Sequence, residues 1–100
     1  PKPAADLATP KEPARRDPGE KKRQLKPLKD KVDAAESQLA SINEEVAKLD
    51  RALSDPLLFV KDPAKGAAVS KKRADAQRRL EAAEARWIAA SEAYDAAAQG

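Results

Sequence analysis

The sequence predicts an all-α protein, a two-helix antiparallel coiled-coil hairpin preceded by a disordered, proline-rich tail. Three observations carry that expectation. Alanine supplies 23 of the residues behind a hydrophobic fraction of 41%, leaving only 18 larger apolar side chains in 100 residues. That is too few for a globular core of this size but enough to line one narrow seam. Those side chains recur at alternating spacings of three and four, in two separate blocks. The prolines gather at the start of the chain and between the blocks.

Residues 1–20 hold Pro1, Pro3, Pro10, Pro13 and Pro18, with Leu7 as the only large apolar side chain. Proline removes the backbone donor and fixes φ. With nothing to bury, the segment cannot offset its ordering entropy. It is expected to be a disordered basic linker, semi-extended by its prolines. Residues 21–100 form the expected hairpin.

The first block runs Leu25, Leu28, Val32, Ala35, Leu39, Ile42, Val46, Leu49, Leu53. This is a heptad seam, with a positions at 25, 32, 39, 46 and 53 and d positions at 28, 35, 42 and 49. Pro27 is best tolerated in a first helical turn, which places the helix at about 27–53. The connection, 54–62, contains Ser54-Asp55-Pro56 and leads into Asp62-Pro63. In each Asp-Pro pair the Asp can cap a helix and the Pro can occupy its first position. Leu57-Leu58-Phe59-Val60 between them reads as one helical turn. The second seam is Val69, Arg73, Ala76, Leu80, Ala83, Trp87, Ala90, Tyr94, Ala97, a helix at about 63–97.

Size complementarity sets the register. If facing numbers sum to 122, Val46 meets Ala76, Leu39 meets Ala83 and Trp87 meets Ala35, large opposite small. The same register brings Glu45 near Arg79. It also brings Glu36 near Glu84, a repulsive pair unless Arg86 or Lys29 screens it.

The composition excludes much chemistry. There is no Cys and no His, hence no disulfide framework, ordinary zinc site or histidine base. Asp30, Asp33 and Glu36 recur at threes but read as a solvated helix face. A metal needs converging oxygens in a closed pocket. No cofactor, metal site or catalytic residue is expected, and no apolar run suits a membrane span. The chain opens on Pro1 and contains no Met, which suggests a piece of a longer protein.

Charge is the informative feature. Residues 1–24 carry seven cations and four anions, whereas residues 25–100 carry 13 of each. The candidate phosphate-binding residues are Arg15, Arg16, Lys21, Lys22, Arg23, Lys26 and Lys29 around the helix start, with Lys71 and Lys72 near the hairpin tip. Such clusters attract nucleic acid through counterion release. Trp87 and Tyr94 could stack on bases, but their seam positions favour packing. Phe59 either closes the end of the core or presents an apolar tip. Ile88, outside the seam, would suit contact with another domain.

Leu53-Ser54-Asp55-Pro56, then Phe59, then Asp62-Pro63, then Glu84-Ala85-Arg86-Trp87 resembles the C-terminal domain of ABC-F ATPases of the Uup type, over about residues 22–97. That resemblance implies a coiled-coil hairpin with no ATP-site motif of its own. Its parent would be a cytoplasmic protein with two ATP-binding cassettes. The implied function is non-catalytic, sequence-nonspecific binding of DNA, or of ribosomal RNA, by a monomeric domain. The alternative is a structural or protein-interaction coiled coil that docks on the parent's ATPase domains or on the ribosome.

Overall fold

The computed structural model describes residues 18–100. Of the tail expected over residues 1–20, residues 1–17, with Arg15 and Arg16, lie outside the described residues. Three helices follow in order: α1, Pro18–Leu53; α2, Leu58–Lys61; and α3, Pro63–Gln99. Among the described residues there is no strand. The two long helices, each about 54 Å at 1.5 Å per residue, pack against one another over their length. The short α2 packs mainly against α3.

Every seam residue is buried or partly buried, from Leu25 to Leu53 on α1 and from Val69 to Ala97 on α3. The innermost cluster is Ile42, Val46, Ala76 and Ala83, with Leu39, Leu49 and Leu80 packed around it. Ala76 and Ala83 are fully buried. Alanine there lets the helix axes approach closely enough for Leu39 and Val46 to fill the layer opposite. Cross-helix bonds fit the size-derived register. Glu45 pairs with Arg79 at 2.6 Å and Gln38 accepts from Arg86 at 2.9 Å. These are the facing g positions that such a register demands. Ala35 is buried, and the Trp87 indole donates to Glu36, the next residue along, at 3.2 Å.

Two expectations need correction. The first helix starts at Pro18, not near Pro27, so Pro18–Glu20 belong to α1 rather than to the linker. Pro27 sits inside the helix with an exposed ring. It removes one donor and crowds the preceding turn. The run from Glu20 to Lys26 is made of good helix formers, and Leu25 and Leu28 on either side are partly buried, so the helix continues through it. The second correction concerns Asp55, which caps no helix. Its carboxylate accepts from the Leu57 backbone N–H at 2.9 Å, an Asx turn that leads into α2, whose own N-cap, Leu57, has no side-chain cap. Asp62 does cap: it accepts from the Lys65 N–H at 3.0 Å, with Pro63 in the first turn of α3.

Candidate nucleic-acid interface

The basic residues occupy places set by the seam. On α1 the heptad puts Lys22 and Lys29 at e, Lys26 at b and Arg23 at f, all on one flank of the hairpin. With Gly19, Leu25, Asp30 and Asp33 of the same helix and Tyr94 from α3 they line an open groove near the free end. Lys21 falls on the seam side of the helix and is partly buried, so it does not line this groove. Along the helix Lys26 pairs with Asp30 at 3.1 Å and Lys29 with Asp33 at 3.6 Å. Asp30 and Asp33, two of the carboxylates that recur at threes, are thus engaged with lysines. Among the described residues no acidic cluster could hold a metal ion.

Lys71 and Lys72 are exposed on α3 two turns beyond its start. Facing residues near 51, they lie roughly 40 Å along the hairpin from Lys26 at 1.5 Å per residue. Lys72 takes a g position, on the flank opposite Lys22 and Lys29. The structure therefore does not merge the two basic clusters into one surface. Arg73, which sequence proximity groups with the tip lysines, is committed elsewhere. Its guanidinium bonds Asp50 at 2.8 Å and Gln77 at 2.9 Å, and Gln77 in turn bonds Glu81. An arginine at a seam position beside an acidic e position is the sequence signal for that pair.

These flank pairs also set the local electrostatics. Hydrogen bonds from Arg79, opposed by partial desolvation and aided by its charge, hold the Glu45 carboxyl below its usual range. Arg73 does the same to Asp50, and both guanidinium groups are raised in return. The two side chains expected to screen Glu36 from Glu84 make other bonds. Arg86 bonds Gln38 and Lys29 pairs with Asp33, while Glu36 takes the Trp87 indole N–H.

The aromatic residues divide. Trp87 and Tyr94 are partly buried in the seam. Phe59 is half exposed, yet its ring lies over Gly66, where an added Cβ would sit 2.5 Å from Cδ1. Phe59 thus both closes the tip and shows an apolar edge. Ile88 is half exposed on the outer side of α3, far from the tip. Among the described residues, no helix is long and apolar enough to cross a membrane.

Comparison with known proteins adds one finding. No curated protein and no solved structure matches the chain. The family described as the ABC transporter C-terminal domain matches residues 20–92, from the first turn of α1 to the last turns of α3, nearly the whole paired length of the hairpin. The chain therefore belongs to the ABC transporter C-terminal domain family.

Proposed function

We propose that this hairpin is a non-catalytic appendage that binds duplex DNA without sequence preference, on behalf of a cytoplasmic ABC-type ATPase. The observation that supports it is the convergence of Lys22, Arg23, Lys26 and Lys29 on one open groove at the free end, with Arg15 and Arg16 a few residues upstream in the chain. Binding comes from phosphate neutralisation and counterion release. The intrahelical partners Asp30 and Asp33 oppose this weakly. Exposed i,i+4 pairs contribute only about 0.3–0.5 kcal/mol each, less than a multivalent phosphate tract returns. Phosphate neutralisation carries no sequence information, so the expected preference is for charge density rather than sequence.

The test is a titration of the 100-residue chain with labelled duplex DNA, single strands and structured RNA at several salt concentrations. Replacing Lys22, Arg23, Lys26 and Lys29 with Gln should weaken binding to every duplex alike. The log–log salt slope should fall by about 0.9 for each phosphate that is no longer neutralised. Replacing Lys71 and Lys72 instead should leave most of the affinity intact. Absence of binding at low salt, or full affinity in the fourfold variant with the fold unchanged, rejects the reading. Tighter binding to structured RNA than to duplex DNA would reassign the ligand.

A further inference from the structure

The hairpin's charge changes sign along its length: residues 18–24 at the free end carry Lys21, Lys22 and Arg23 against Glu20, and the other end is also basic. Residues 51–72, which form the tip, carry Arg51, Lys61, Lys65, Lys71 and Lys72 against Asp55 and Asp62. The paired shaft, residues 25–50 and 73–100, carries eight cations and eleven anions. The tip is thus net positive and the shaft net negative by the same amount. The net-negative shaft is repelled by an anionic surface, so such a surface is met end-on, and the apolar side chains distinguish the tip from the free end.

The tip is also where large apolar side chains leave the seam. Leu57 is 46% exposed, Phe59 50% and Val60 75%, while Leu58 between them is buried and anchors the turn. The turn is held from both sides. The Asp55 carboxylate accepts from the Leu57 N–H, Asp62 caps α3, and the Phe59 ring rests on Gly66. Three exposed apolar side chains therefore sit on a pre-organised turn, with Lys61 and Lys65 close in the chain and Lys71 and Lys72 two turns into α3. Phosphate binding alone gains nothing from exposed Leu and Val, which do not stack on bases. An apolar layer lying beneath anionic headgroups rewards both features at once.

We propose that the tip docks end-on to an anionic lipid surface. Leu57, Phe59 and Val60 enter the headgroup–acyl boundary, and Lys61, Lys65, Lys71 and Lys72 contact lipid phosphate. The docking is reversible, because three side chains bury less apolar surface than a single acyl chain, which by itself holds a protein only marginally. The shaft stands away from the membrane, and the basic groove at its free end stays accessible.

The experiment is co-sedimentation of the 100-residue chain with vesicles of phosphatidylcholine containing phosphatidylglycerol, against pure phosphatidylcholine, at low and high salt. Binding is expected only to the anionic vesicles and is lost at high salt. L57S/F59S/V60S should lower it at least tenfold while leaving duplex DNA affinity unchanged. K61Q/K65Q/K71Q/K72Q should abolish it. If circular dichroism shows that the threefold apolar variant is unfolded, V60D replaces it, since Val60 is the most exposed of the three. No binding to anionic vesicles at low salt overturns the proposal. Binding that survives both apolar variants in folded form also overturns it, because charge alone would then account for the attraction.

Discussion

Single side chains decide how this hairpin closes. Asp62 caps α3 through the Lys65 N–H, and Asp62→Ala should cost about 1 kcal/mol in urea denaturation. Gly66 lies under the Phe59 ring, so its role is clearance rather than a special backbone angle. Alanine would ordinarily strengthen a helix by about 0.5–1 kcal/mol relative to glycine. Here Gly66→Ala must push the ring aside, and a net loss of stability is expected. In a Phe59→Ala background the same change should stabilise by about that propensity difference, and a double-mutant cycle would read the reversal of sign. In the shaft, Ala35 is buried beside the Trp87 layer. Ala35→Leu should overpack it at a cost of about 1–3 kcal/mol. Unchanged stability there would mean that the layer is looser than its burial implies.

At the scale of the helix, Pro27 is the locally unfavourable residue. It stands inside α1, exposed, where an interior proline costs up to about 3 kcal/mol. Pro27→Ala should therefore raise the melting temperature, the gain being reduced by about 0.4–1 kcal/mol for the freer unfolded chain. The flank pairs give the helix–helix packing its pH dependence. Glu45 and Asp50 are held below their ordinary values of 4.5 and 3.8 by Arg79 and Arg73. A lowered carboxylate stabilises the fold fully above its unfolded-state value and loses that contribution as pH falls through the folded value. Thermal stability should hold from neutrality down to about pH 4.5 and decline below it. E45Q/D50N should lessen that slope. Both groups are solvent-exposed, so the effect is small and weakens with added salt.

For the molecule as a whole, the separation of its two basic clusters is the feature that matters. The groove of Lys22, Arg23, Lys26 and Lys29 lies at the free end. The tip lysines lie roughly 40 Å away at 1.5 Å per residue, partly on the other flank. Binding to duplex DNA and binding to anionic vesicles should therefore be separable. Substitutions at one end should leave the other affinity unchanged, and vesicle-bound chain should still shift a labelled duplex. Competition between DNA and vesicles would instead place both ligands on one cluster.

The spacing of apolar residues determined the fold class and both seams, because a repeat of three and four admits one buried stripe per helix; the short connection determined the antiparallel pairing, and alanine facing a large neighbour the register. The cap at Asp62 was legible from local chemistry: its donor lies three residues on. The start of α1 was legible only in part. Asp17-Pro18, with Glu20 following, repeats the start signal used at Asp62-Pro63, but Pro27 competes with it. Local rules cannot say which proline a long helix will absorb. Tertiary structure decided that, since the helix on both sides of Pro27 is held by its own propensity and by burial of Leu25 and Leu28. It also decided where each charge lies. Arg73 adjoins a basic run in the sequence and is bound to Asp50, whereas Lys22, Arg23, Lys26 and Lys29 share one flank and Lys21 is turned toward the seam. Charge acts through distance in space, and only the packing of one helix on the other sets those distances.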